Sequence, residues 1–596
     1  MNDLKDKKEV RVQKQTYKNN FDYIFNLLGV MIGFSNVWRF PYICYKNGGG
    51  SFLFAYLIFA IFMIFPLVLI ESALGQYTGR SAVKVWKIIP LISGMGFASP
   101  IIMFLCNVYY PVLLTWTLRW IVASVTENLS WTRCDNTWNT NSCIPLFIEN
   151  QVNITGSMSR TYLYMNSTTV QSSVEEFWNN RILGMTDGIE NLGEMKYDLL
   201  ICHAVIWILA YFAVWKGIQW TSKIVYFTVS LPFVMLIVVF VRGVTLDGAQ
   251  DGIDLYLSPN ITKLAEVEVW RDAADQILFS VGVCAGGIAT LGQYNKFNHN
   301  FLRDSIFLIV ANAVISFLAG FATFSILGFL AYSKNTTVDE VANSGPGLVF
   351  VAYPTALSLL PLPQVWCALF FTMLLLLGFD SQFVYHETFI ACMRDQFPRF
   401  FRIKWANEIW TGVAADILFM LSLPLLTMGG IYVLNIFNSY AVTGWCLYFI
   451  SLVEFIAIGW IYGVDEFCDK MKLMLGFDVS RILLKICWKF IGPALSTALI
   501  IYSLSSYRPL TLGRSYVYPA WADALGWMTA LSSMLTIPIG AVYVLYRTEG
   551  ATLWEKLKNS IQTRDCCREE IKNELNLKTS NSKDDDIDNR CNESLL

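Results

Sequence analysis

Long apolar runs separated by polar segments set the pattern of this chain. A helix that crosses the hydrocarbon core of a bilayer needs about 20 mostly apolar residues. Runs of that kind fall near 21–44, 52–74, 96–124, 199–215, 223–242, 271–293, 304–333, 365–391, 409–428, 432–462, 481–505 and 521–546. The pattern predicts an all-α polytopic membrane protein with twelve transmembrane helices. Two runs are poor continuous helices. The first, FDYIFNLLGVMIGFSNVWRFPYIC, gathers Gly29, Gly33, Ser35 and Asn36 at its middle, with Arg39 and Pro41 after them. The other, FSVGVCAGGIATLG at 279–292, is interrupted by glycines in the sixth run. Lipid offers free backbone N–H and C=O groups no partner, so a broken helix is tolerated there only beside a cavity, a ligand or an ion. Two broken spans at matching places in two halves of a chain point to a binding site at mid-membrane.

Composition sharpens the class. Of 596 residues, 55% are hydrophobic and 15% charged, against about 25% charged in soluble domains. Mean hydropathy is +0.45. A net charge of −2 argues against a nucleic-acid surface. The Lys-rich residues 1–20 read as a cytosolic tail, 21–546 as the membrane domain, and 547–596 as a second cytosolic tail. That second tail is expected to hold a short surface helix and then become disordered. An even number of spans puts both tails on one side. Lys14, Lys18, Lys84, Lys87, Lys216, Lys223, Lys296, Arg303 and the run from Arg394 to Lys404 make that side the cytosol. The loop 125–198 is then extracellular. It holds Cys134 and Cys143, close enough in sequence to form a disulfide. It also holds N-x-S/T glycosylation sites at Asn128, Asn153 and Asn166, with others in outer loops at Asn260 and Asn335.

Polar residues within the spans need a reason to be there. Asn36 follows the first break, and Gln276 and Ser280 stand before and at the second. Asn312 and Ser316 are four apart and share a helix face. Asp380, Ser381 and Glu387 sit in LLLLGFDSQFVYHE. Oxygen ligands suit hard cations, which makes Na⁺ the candidate. Asp380 and Ser381 beside the first break form one candidate cation site, and Asn36, Ser280 and Asn312 another. No enzyme constellation competes. The three histidines, His203, His299 and His386, stand in no H-E-x-x-H motif, and no Walker loop or paired C-x-x-C is present.

The strings NVWRFPYICYKNGGGSF, ESALGQYTG, NVYYPVLLTW, QYNKFNHN, SGPGLVFVAYP and LLLLGFDSQF closely resemble the neurotransmitter:sodium symporter family, with similarity from about residue 14 to about 560. The segment YPAWADALGWMTALSSMLTIPI and the RTEG after it look most like the GABA, taurine, betaine, creatine and amino-acid branch. The resemblance implies a 5+5 inverted repeat with helices 1 and 6 unwound at mid-membrane. It also implies a plasma-membrane symporter that couples Na⁺ and Cl⁻ gradients to uptake of a small zwitterion by alternating access. A non-transporting receptor or partner subunit of the same fold is the alternative, and a homo-oligomer is compatible with either.

The resemblance also implies residue roles. A first sodium site would use Met31, Asn36, Ser280 and Asn312. A second would use Gly29, Ile32, Leu377, Asp380 and Ser381. Chloride would meet Tyr56, Gln276, Ser280 and Ser316, all hydrogen-bond donors. Monoamine carriers of the family have Asp where this chain has Gly33. Glycine leaves room for a substrate carboxylate, to which Tyr110 would donate. Met31, Phe279, Cys106, Leu113, Cys284, Ala285 and Tyr385 would complete the pocket. The outer gate would use Phe279, Tyr110 and Arg39, with Asn438 standing where the family has an acid. The inner gate would use Lys14, Tyr17, Tyr294 and Asp395, with Lys14 and Tyr17 where the family usually has Arg and Trp. Met31 and Ser35 replace residues that are usually smaller.

Overall fold

The computed structural model describes residues 16–146, 171–341, 347–402, 405–442, 444–512 and 516–562. Among them, nine helical stretches are long and apolar enough to cross a membrane, and two bent pairs raise the number to eleven. The nine are Gly50–Thr78, Pro90–Ser124, Tyr197–Val214, Ile218–Val244, Phe301–Lys334, Pro363–Gln396, Ala406–Leu426, Gly430–Leu475 and Arg481–Ser505, and of these Gly430–Leu475 is interrupted at Gly444 and Gly463, both at positive φ. Span 1 is Asn20–Met31 with Phe34–Lys46, bent by 51°, and span 12 is Ala520–Met534 with Thr536–Arg547, bent by 41°. Span 6 comes in two pieces, Val267–Val281 and Gly287–Gly292, and completes the predicted set. The two spans that come apart in mid-course, 1 and 6, each open a half of five.

Burial separates the core spans from the rim. In the most apolar stretch of span 8, 78% of residues are buried, against 33% in spans 5, 9 and 11. Span 8 is therefore the central post, and the other three turn most of their surface outward. On span 4, Ile201, Val205, Ile208, Leu209 and Phe212 are exposed. Their spacing makes one helical stripe, which faces lipid in an apolar solvent rather than water. Close helix contacts are built on small residues. A Cβ at Gly378 of span 8 would lie 2.2 Å from Leu114 Cδ2 of span 3. One at Gly75 of span 2 would lie 2.0 Å from the carbonyl oxygen of Ala289 in the inner half of span 6.

Outside the spans, Cys134 and Cys143 are joined in a disulfide; among the described residues, nine further cysteines, most of them within spans, are free and buried. Cys143–Ile144 pairs in parallel with Gln171–Ser172. Asn128, Asn260 and Asn335 are exposed, while Asn153 and Asn166 lie outside the described residues. The surface helix expected after the last span is Leu553–Ile561. Thr552 caps it by accepting the Glu555 N–H at 3.2 Å.

Candidate functional site

Both breaks follow from local backbone chemistry. Span 1 leaves the helical conformation at Ile32 and Gly33, which are extended. Asn36 restarts the helix by accepting the Gly33 N–H on Oδ1 at 3.0 Å. In span 6, Gly282, Cys284 and Gly286 all take positive φ, at 69°, 66° and 79°. Such a φ is strained for cysteine, and the Cys284 N–H is held by Glu71 Oε1 of span 2 at 2.5 Å. The breaks face each other, since a Cβ on Gly282 would come within 3.2 Å of Val30 Cγ1.

Around the first break the candidate polar residues form one connected network. Ser280 Oγ lies 3.3 Å from the Met31 carbonyl and 3.0 Å from Asn312 Oδ1, and donates toward both. Asn36 Nδ2 donates to Asn312 Oδ1 at 2.8 Å and to Ser316 Oγ at 2.7 Å. Asn312 Nδ2 donates to the Tyr56 hydroxyl at 3.0 Å. Gln276 lies at the edge of this group, its Nε2 donating to the Ser35 carbonyl at 3.2 Å. All six side chains, Asn36, Tyr56, Gln276, Ser280, Asn312 and Ser316, are buried. Asn36 and Ser280 thus meet at Asn312 Oδ1, Ser280 also reaches the Met31 carbonyl, and Tyr56 and Ser316 flank them.

A second group lies on the other side of span 1. Ser381 Oγ donates to the Gly29 carbonyl at 3.1 Å. Asp380 accepts a hydrogen bond from Thr228 of span 5. A Cβ added at Gly29 would lie 2.9 Å from Asp380 Cβ, and one at Gly33 would lie 3.9 Å from the Leu377 carbonyl. Gly29, Ile32, Leu377, Asp380 and Ser381 are therefore grouped where span 8 passes the first break.

Between the breaks lies the candidate pocket. The same Gly33 Cβ would stand 2.8 Å from Ser381 Oγ and 3.5 Å from the Tyr110 hydroxyl, so glycine keeps that space open. The rings of Tyr110 and Tyr385 meet edge to face at 5.3 Å. Cys106 lies within electrostatic reach of both tyrosines, and Met31, Leu113, Cys284 and Ala285 are buried as well.

A sequence profile of the sodium:neurotransmitter symporter family matches residues 14–548. The chain belongs to that family. It is 43% identical over 552 residues to the sodium- and chloride-dependent GABA transporter 2 of Rattus norvegicus, covering 92% of this chain and 90% of the relative. To the human protein of that name it is 43% identical over 540 residues, covering 90% and 88%. To the human sodium- and chloride-dependent taurine transporter it is 42% identical over 542 residues, covering 91% and 86%.

The residues expected at the two gates of this symporter stand in different chemical settings. Of the expected outer set, Arg39 lies over the Phe279 ring at 5.2 Å. Asn438 lies in the wide turn Phe437–Ala441, where the Phe437 ring meets Tyr109 at 6.5 Å. Of the expected inner set, the Tyr17 N–H donates to the Tyr294 carbonyl at 3.0 Å and the two rings meet edge to face at 5.9 Å. Tyr294 donates its hydroxyl to Glu387 Oε1 at 2.7 Å, and Arg394 stands 4.0 Å from the same oxygen. Asp395 instead accepts from the Ser81 N–H and hydroxyl at 2.7 and 2.6 Å. Lys14 lies outside the described residues.

Several participants escaped sequence reasoning. Glu71 supports the second break from span 2, Thr228 holds Asp380 from span 5, and Arg394 joins the inner group. Asp275 of span 6 lies within electrostatic reach of Arg39 and accepts the Tyr448 hydroxyl at 2.5 Å. Glu71 and Asp275 carried a signal, since each is an acid within an apolar run, but neither sequence position reveals its partner.

Proposed function

We propose that this symporter couples Na⁺ and Cl⁻ gradients to uptake of a small zwitterion of the GABA or taurine type by alternating access. The observation that carries this reading is the convergence of Asn36 and Ser280 on Asn312 Oδ1, with Ser280 also reaching the Met31 carbonyl, beside an open Gly33. Hard oxygen atoms at an unwound helix suit a sodium ion. The substrate carboxylate would enter over Gly33, meet the Tyr110 hydroxyl and complete that ion's shell. The second sodium would sit among Asp380, Ser381 and the carbonyls of Gly29, Ile32 and Leu377. Chloride would take the hydroxyls of Tyr56, Ser280 and Ser316 and the Gln276 amide.

With two sodium ions, one chloride and a neutral zwitterion, one net positive charge enters per cycle. The membrane potential then contributes about 2.3 kcal/mol per 100 mV. Each tenfold sodium gradient adds about 1.4 kcal/mol per ion. The basic inner flanks support a plasma-membrane protein with both termini in the cytosol. The test is uptake into proteoliposomes of labelled amino acids, GABA, taurine, betaine and creatine, with Na⁺ and Cl⁻ replaced in turn. Saturable uptake of one zwitterion that disappears without Na⁺ supports the reading. Binding without uptake would make the chain a receptor.

A further inference from the structure

Span 2 and span 10 each carry an acid in an apolar setting, Glu71 in LVLIESALG and Glu454 in ISLVEFIAI. The fold brings both against the second break. One carboxylate oxygen from each and the Cys284 thiol lie within 4.8 Å of one another. Both acids are 2% exposed. Glu71 Oε1 is engaged with the Cys284 N–H. Glu71 Oε2 and Glu454 Oε2 are buried without a hydrogen-bond partner, and neither residue forms an ion pair among the described residues.

The titratable groups around the pair are Tyr23 of span 1 and Cys284 of the break, which interact with it, and Cys446 of span 10, which interacts with Cys284. With ordinary titration each is neutral near pH 7, so none supplies a counter-charge. The Tyr23 hydroxyl is directed to Ser72 Oγ at 3.0 Å, and Cys446 Sγ lies 2.9 Å from Ser533 Oγ. Two ionised carboxylates at this spacing in a dry interior repel each other. A single proton removes both deficits, because one acid then has an O–H to donate and the other a lone pair to accept it.

We propose that Glu71 and Glu454 bind one proton between them, as a carboxyl–carboxylate pair that fastens span 10 to the second break. The negative charge that remains is met by the Cys284 N–H. This proton site is separate from the groups around Asn36 and Asp380, and it does not depend on which zwitterion is carried. Its loss would free Glu454 from Glu71 and loosen the turn that forms one wall of the pocket.

The experiment uses the full-length protein in nanodiscs, with apparent melting temperature followed from about pH 6 to about pH 9. A proton held by the folded protein and released on unfolding makes stability fall as pH rises, by up to about tenfold in the folding constant per pH unit. The wild type is expected to show that slope. Glu454→Gln supplies a permanent donor and is expected to flatten it, as is Glu71→Gln, which keeps the acceptor for Cys284. A flat wild-type profile, or a variant that folds and keeps the wild-type slope, overturns the proposal. So does a wild type destabilised by a chelator and restored by Zn²⁺, which would place a metal among the same three atoms. If neither variant accumulates, the infrared carboxylic-acid C=O band of the wild type decides. It must shrink as pH rises, and an unchanged band overturns the proposal.

Discussion

Ser381 Oγ donates a 3.1 Å hydrogen bond to the carbonyl of Gly29. Span 8 thereby holds span 1 just before its helix opens, and Asp380 stands at the same level. Asp380→Asn keeps the shape and the Thr228 contact but removes the anion. An interaction with a charged group contributes about 1.5–3 kcal/mol. The apparent sodium affinity of uptake should therefore fall about 10- to 100-fold, read from a sodium titration at saturating substrate. An unchanged titration would remove Asp380 from the ion sites.

Gly33→Ala should act on the pocket rather than on the ions alone. Its Cβ would lie 2.8 Å from Ser381 Oγ, closer than real Cβ contacts. The Ser381 hydroxyl must shift, and the room for a carboxylate shrinks. Overpacking of this kind costs about 1–3 kcal/mol. KM for the transported zwitterion should rise about tenfold or more with the protein still reaching the membrane. Wild-type KM in the variant would show that the carboxylate binds elsewhere.

Ser316→Glu supplies a fixed negative charge where chloride is assigned. Ser316 Oγ accepts from Asn36 Nδ2 at 2.7 Å, so the new carboxylate starts beside a donor. Uptake should persist when chloride is replaced by gluconate. Full chloride dependence in an active variant would refute this placement.

The Cys134–Cys143 bridge closes a short loop, with a sequence separation of 9. Chain-entropy arguments give such a link about 2–3 kcal/mol of stabilisation. Replacing both cysteines with serine should lower the melting temperature of the purified protein measurably. The pocket lies away from the loop, so substrate affinity should be little changed.

The apolar runs made the spans legible in the sequence, and clustered glycines marked both breaks. The end of the tenth run was legible too: it fades near residue 462, and Gly463, at φ 96°, interrupts the helix there before the polar segment Val464–Leu475 forms a helix of its own. Within the site, Asn36, Asn312 and Ser280 stood out because amides and hydroxyls are rare in apolar runs. Gln276 stood out for the same reason and Asp395 only through the family resemblance, but which neighbours take their hydrogen bonds depends on crossing geometry that spacing does not encode. Asp395 meets Ser81, from a loop over 300 residues away in the chain. Glu71 was hidden in the same way, since the turn it supports comes 213 residues later.

Gly75 leaves so little clearance to Ala289 that the inner half of span 6 rests directly on the backbone of span 2. Neither helix can slide over the other without collision. Were the half of span 6 that carries Ala289 to swing, span 2 would travel with it as the leaf to which it is hinged, and the flexing would fall to residues 282–286. Opening at that end would then also deform a wall of the cargo chamber, making release of the passenger and opening of its way out one motion.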